Sequence, residues 1–164
     1  MKLKTLLLTV IFLFLLLGGM GCEKEFSNEN IQIKDFSYFG CKEKTANNVN
    51  GFAAVKGFKS DEYIEYRADA DGYLHIKHVN AVFNCCPDTI TATSSIDGKK
   101  ISIIESETNP ICDCICNYDL EYKLGPLSNG KYTLIFNRDT NEFLRFTINY
   151  NSSLKGKIYI VKLD

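Results

Sequence analysis

Between Ile111 and Leu124 the side chains change character at every second position, and no other stretch constrains the fold as tightly. Cys112, Cys114, Cys116, Tyr118, Leu120, Tyr122 and Leu124 share one parity, while Asp113, Asn117, Asp119, Glu121 and Lys123 share the other. A period of two belongs to a strand with one face on a core and one in water, the arrangement antiparallel sheets allow. Three cysteines therefore point at the core from a single strand.

The rest of the chain repeats the pattern in shorter pieces. Ile31 to Phe39 alternates. Glu62 to Ala68 and Tyr73 to Asn84 flank Asp69-Ala70-Asp71-Gly72, and an Asp-Gly between β-rich runs predicts a hairpin. Thr89 to Ser95 and Lys100 to Glu105 flank Asp97-Gly98 in the same way. Lys131 to Asn137 and Glu142 to Tyr150 form a third pair, and Lys157 to Leu163 supplies a last strand. Gly51 to Phe58 suits a short helix or a strand with a bulge at Gly57. In the second hairpin-forming strand Leu74 and Ile76 occupy one parity and Val79, Ala81 and Phe83 the other. A bulge near Lys77 or His78 would rejoin them into one apolar face. Bulges often sit beside functional sites, which singles out His75, His78, Asn80 and Asn84; the plain alternative is a polar solvent face.

Leu127-Ser128-Asn129-Gly130-Lys131-Tyr132 resembles the tyrosine corner of fibronectin type III and immunoglobulin-like sandwiches, in which the tyrosine hydroxyl bonds back to the chain upstream. Leu127, Gly130 and Tyr132 would form that corner; the other reading is an Asn-Gly hairpin turn. The fold expected is all-β: an antiparallel, immunoglobulin-like β-sandwich with cross-strand disulfides.

Six cysteines follow Cys22: Cys41, Cys85, Cys86, Cys112, Cys114 and Cys116. They allow fifteen full pairings. Adjacent Cys85 and Cys86 point to opposite faces of an extended chain, and neighbours in the other cluster lie about 6.7 Å apart at Cα, the far end of the disulfide range. If all six oxidise, each of Cys41, Cys85 and Cys86 takes one of the other three. Cys114 should join Cys85 or Cys86, and Pro87 ends the strand so that Cys86 can turn back. The rival is a soft-metal site holding zinc or copper through Cys85, Cys86, Cys112, Cys114 and Cys116 with His78. Structural zinc sites use wider cysteine spacings than Cys-x-Cys, and an exported thiol meets an oxidising compartment.

Export is expected from the N-terminus. Lys2 and Lys4 precede an apolar run from Leu6 to Leu17, then Gly18-Gly19-Met20-Gly21-Cys22. As a helix that run reaches about 18 Å, short of the roughly 30 Å of a bilayer core. The segment resembles the signal and lipobox of bacterial lipoproteins, although Gly19 stands where leucine is usual; the alternative is a simple secretory signal with Cys22 in a disulfide. The resemblance implies cleavage before Cys22, a diacylglycerol and an acyl chain such as palmitate on that residue, and anchoring in the outer membrane of the cell envelope. Residues 1–21 are then the signal peptide, 22–30 the lipidated cysteine and polar tether, and 31–164 one domain.

Of the 19 Lys and Arg, two leave with the signal, so 17 face 20 Asp and Glu over the remaining 143 of 164 residues. The lysines are dispersed along the sequence, with no run longer than the pair Lys99-Lys100, which argues against a nucleic-acid partner. No His-Glu-x-x-His, Gly-x-Ser-x-Gly, phosphate loop or dinucleotide fingerprint occurs, so neither an enzyme nor a cofactor is expected. Asn80 to Cys86, Cys112 to Tyr122 and Gly130-Lys131-Tyr132 together are similar to uncharacterised cysteine-bearing envelope lipoproteins of Gram-negative bacteria, and Asp88-Thr89-Ile90 resembles an O-glycosylation acceptor of some of them. The function expected is a non-catalytic binding or structural module of the envelope, with a protein or glycan partner; the alternative is a metal-binding lipoprotein.

Overall fold

The computed structural model describes residues 31–46 and 61–161. The expected leader and tether, Cys22, Gly51 to Phe58 and the end of the expected last strand lie outside the described residues. Within them the chain forms β1 (Gln32–Ala46), β2 (Tyr63–Ala68), β3 (Leu74–Asn84), β4 (Thr89–Asp97), β5 (Lys100–Thr108), β6 (Cys114–Gly125), β7 (Gly130–Arg138), β8 (Asn141–Tyr150) and β9 (Lys155–Tyr159). They make two sheets, ordered β1-β6-β3-β2-β9 and β4-β5-β7-β8, packed as a sandwich.

The three expected hairpins are β2–β3, β4–β5 and β7–β8, all antiparallel. One pairing departs from the antiparallel expectation, since β5 and β7 run parallel. The chain leaves β5, crosses to the other sheet as β6 and returns as β7, so the two strands enter their sheet in the same direction. The last strand is Lys155–Tyr159 rather than Lys157 onward, because its partner β2 offers only Tyr63 to Arg67 for pairing.

The alternation in β6 holds from Cys116 onward: Cys116, Tyr118, Leu120, Tyr122 and Leu124 are buried against Ile101, Ile103, Leu134 and Phe136 of the opposite sheet. Cys112 precedes the strand and is exposed, and Cys114 at its start is only half-buried, so one of the three cysteines reaches the core and not all. Asn117 breaks the expected pattern and is also buried. In β3 the register slips between His78 and Ala81, and Asn80 takes φ +60° there, a left-handed conformation asparagine tolerates. The bulge rejoins Leu74 and Ile76 with Ala81 and Phe83 on the inner face, while Val79, expected with them, falls within the bulge and stays outside the core cluster they join. The slip falls just after His78, so His78 is carried inside.

The tyrosine corner is present. Tyr132 is fully buried, and its hydroxyl donates to the Ser128 carbonyl at 3.1 Å. The connection runs from β6 of one sheet to β7 of the other, which excludes the hairpin reading of Asn129-Gly130.

Two register shifts in β1, between Lys34 and Ser37 and between Gly40 and Lys44, fit it to β6. Gly40 sits at φ +150°, and a Cβ there would lie 2.7 Å from the Asn117 carbonyl oxygen and 2.9 Å from Tyr118 Cα. Gly40→Ala should therefore cost roughly 1–3 kcal/mol of unfolding free energy through the strained backbone, read by urea denaturation. An unchanged midpoint would mean that β1 moves freely at this register shift.

Candidate functional site

The six cysteines gather at one end of the five-stranded sheet in three bridges. Cys41–Cys116 joins β1 to β6, Cys85–Cys114 joins the end of β3 to the start of β6, and Cys86–Cys112 closes beside it. Their Cα separations are 4.9, 5.5 and 5.9 Å, inside the usual range. This is one of the expected arrangements, with Cys114 joined to Cys85. The register explains it: Asn84 opposes Ile115, which places Cys85 across from Cys114, and the Cys85 amide donates to the Cys114 carbonyl at 3.1 Å. Asn84 then orders the next bridge. Its side-chain oxygen accepts from the Cys86 amide at 3.0 Å, and its amide nitrogen donates to the Cys112 carbonyl at 2.6 Å.

The sulfurs of Cys85, Cys86 and Cys112 lie within 4.8 Å of one another. Of the remaining residues considered for a metal, Cys114 and Cys116 are bonded to Cys85 and Cys41. His78 is engaged elsewhere.

His75, His78, Asn80 and Asn84 do not form one cluster, because β3 sends them to different faces and ends. His75 is on the outer face, 2.7 Å from Glu121. Asn80 holds the bulge, its amide nitrogen donating to the Asp61 carbonyl at 2.9 Å and its backbone amide to Asp119 at 3.1 Å. Thr89 is half-buried at the start of β4, its hydroxyl directed at the Ile90 carbonyl.

His78 lies at the centre of a polar network buried between the sheets, with Arg138 at its solvent-facing rim. Its Nδ1 meets Glu105 at 2.7 Å and its Nε2 meets Glu62 at 3.1 Å. Tyr122 donates to the other Glu105 oxygen at 2.9 Å, and Arg138 donates to Glu62 at 3.0 Å. Phe143 stacks on the imidazole with ring centres 5.5 Å apart. Burial alone would lower the His78 pKa, but the Glu105 charge and hydrogen bond, with Glu62 behind them, raise it to about 9. Burial alone would raise that of Glu62; the His78 hydrogen bond and charge, then Arg138, bring it down to about 2. Burial, followed by the Glu105 charge, pushes the Tyr122 hydroxyl well above the usual phenol range, so it remains a donor. Imidazolium and guanidinium thus balance two carboxylates, and the network joins the sheets: Glu62, His78 and Tyr122 come from one side, Glu105 and Arg138 from the other.

Glu62, Glu105 and Arg138 escape a reading for catalytic motifs. The signal for Glu105 is its parity, which it shares with Ile101 and Ile103 in β5. His78 gives the same signal through Leu74 and Ile76. Being fully buried, His78 and Glu105 offer a substrate no approach.

Solvent reaches a groove of about 520 Å³ on the five-stranded sheet, over β3, β2 and β9, bordered by Glu65, Arg67, His75, Lys77, Lys155 and Lys157. No protein-family model, curated protein or solved structure matches the chain.

Proposed function

We propose that the protein is an exported envelope module, held in the outer membrane through lipid on Cys22, that binds a protein or glycan partner without transforming it. The observation that carries this reading is the use of all six cysteines after Cys22 in three disulfides. Such density of bridges belongs to oxidising compartments, and it accompanies an N-terminus with the features of a cleaved signal. A non-catalytic role is supported by the burial of the His78 network, whose charges are spent on one another.

Labelling cells that express the full chain with radioactive palmitate tests the anchor. Wild type should carry label and sediment with outer membranes, and Cys22→Ser should carry none. Unlabelled wild-type protein in the cytosol would overturn the reading.

The second reading, a soft-metal site, is favoured by one observation, the approach of the Cys85, Cys86 and Cys112 sulfurs. It requires two bridges to be reduced, since the thiolate is the ligand. Tight zinc or monovalent copper binding by the protein as isolated, without reductant, would favour it over the first.

A further inference from the structure

The strand register of the five-stranded sheet brings together basic residues that are far apart in sequence. Lys34 opposes Lys123, Lys123 opposes His75, His75 opposes Arg67, and Arg67 opposes Lys155. One basic side chain thus stands on each of the five strands in a single row across the outer face. Like charges placed directly opposite are destabilising. The next row shows the ordinary solution: Lys157, Glu65, Lys77 and Glu121 alternate in sign.

Acids relieve only part of the basic row. Asp69 takes Arg67 at 2.7 Å and Lys123 at 3.0 Å, Asp71 lies 3.9 Å from both Lys34 and Lys123, and Glu121 lies 2.7 Å from His75, which leaves Lys155 as the member of the row without an acid among the described residues. Toward β9 the compensation thins, Glu65 taking Lys157 at 2.7 Å. Among the described residues Lys155 and Lys77 have no ion-pair partner, and the groove between them is bordered by Arg67, Lys77, Lys155 and Lys157 against the single acid Glu65.

One row further on, Tyr63 opposes Tyr159, with ring centres 5.5 Å apart. Tyr159 is 55% exposed, and Lys157 lies 4.0 Å from the centre of the Tyr63 ring. Lys155 to Tyr159 spans about 13 Å along the strand, so cations and an aromatic platform line one continuous track.

Resting on the binding-module reading above, we propose that this track is the binding site and that its ligand is an acidic polysaccharide, with carboxylates on Lys77 and Lys155 and a sugar ring against Tyr159. Charge complementarity calls for an anion. The tyrosines favour a glycan over a bare phosphate, because their apolar faces gain from covering a sugar ring and gain nothing from an inorganic anion.

The test uses the full chain, expressed with its own leader and kept in non-ionic detergent, titrated calorimetrically with oligogalacturonate at low salt. Wild type should bind, and added salt should weaken binding through screening. The double variant Lys77→Gln/Lys155→Gln breaks no ion pair, so it should keep its thermal midpoint while losing at least tenfold in affinity. Tyr159→Ala should weaken oligogalacturonate severalfold and leave polyphosphate binding unchanged. No binding by wild type, or equal binding by the lysine variant, would overturn the proposal. So would a Tyr159→Ala protein that keeps full affinity while wild type prefers vesicles of anionic phospholipid, which would make the face a membrane contact. None of these failures touches the palmitate label on Cys22, so the envelope reading stands or falls separately.

Discussion

Replacing His78 with alanine should destabilise the protein by about 3–5 kcal/mol, the usual effect of removing one partner from a buried ion pair. The variant leaves the Glu105 carboxylate in a fully buried position with only the Tyr122 hydroxyl to face it. Glu62 retains Arg138, so the loss concentrates on Glu105. A companion variant separates charge from packing. His78→Leu/Glu105→Leu removes both ends of the 2.7 Å contact, and buried pairs replaced together by apolar groups are often neutral in stability. Urea denaturation of wild type, His78→Leu, Glu105→Leu and the double variant gives the coupling directly. If the double variant loses as much as the sum of the singles, the two residues are not coupled.

The same network fixes a pH profile. His78 has its pKa raised from 6.5 to about 9, so its stabilisation is complete below pH 6.5 and is lost as pH rises through about 9. Glu62 has its pKa lowered from 4.5 to about 2, so its contribution is complete above pH 4.5 and is lost as pH falls through about 2. Both act in full between pH 4.5 and 6.5. His78→Ala should flatten the alkaline limb, and a variant that keeps the wild-type slope between pH 6.5 and 9 would show that another group sets it.

The second large effect concerns the bridges, which should contribute unequally. Cys41 and Cys116 are 75 residues apart, and with the Cys85–Cys114 bridge inside that loop shortening it, closing it in the unfolded chain is worth about 4 kcal/mol in the chain-entropy description. Cys85–Cys114 and Cys86–Cys112 span 29 and 26 residues, but one is nested inside the other. With Cys85–Cys114 intact, Cys86–Cys112 closes only a few extra residues and should add about 2 kcal/mol or less. Paired replacement by alanine, followed by guanidinium unfolding without reductant, should rank Cys41/Cys116 well ahead of Cys86/Cys112. Intact mass under the same conditions should lie six hydrogens below the reduced wild type and four below for either paired variant relative to its own reduced form. Equal losses for the two pairs would mean that native-state strain, and not unfolded-chain entropy, sets the contribution.

The strands were legible because their signals are local. Alternation located β6 to within three residues, and Asp71-Gly72 and Asp97-Gly98 announced two hairpins that formed. The cysteine pairing was narrowed by reach alone, since Cys85 cannot easily bridge to Cys86 nor Cys112 to Cys114. The parallel pairing of β5 with β7 was not legible, because it depends on β6 crossing to the other sheet, a decision made by packing across the whole core. The His78 network was half visible. The bulge drew attention to His78, but its partners Glu105 and Glu62 stand 27 and 16 residues away and carry no motif. The basic row was hidden for a related reason: Lys34, Arg67, His75, Lys123 and Lys155 look scattered until strand register makes them neighbours.

The Cys41–Cys116 bridge also decides how the domain meets a mechanical load. A pull at residue 31 enters through β1, an edge strand, and loads its pairing with β6 from Gln32 opposite Gly125 onward. Hydrogen bonds opened one after another resist force poorly, but unzipping reaches Cys41 and stops. There the tension passes through a covalent bond into β6, which lies between β1 and β3 and is itself bonded to the end of β3 through Cys114 and Cys85. The edge strand can yield under tension while the body of the sandwich keeps its shape.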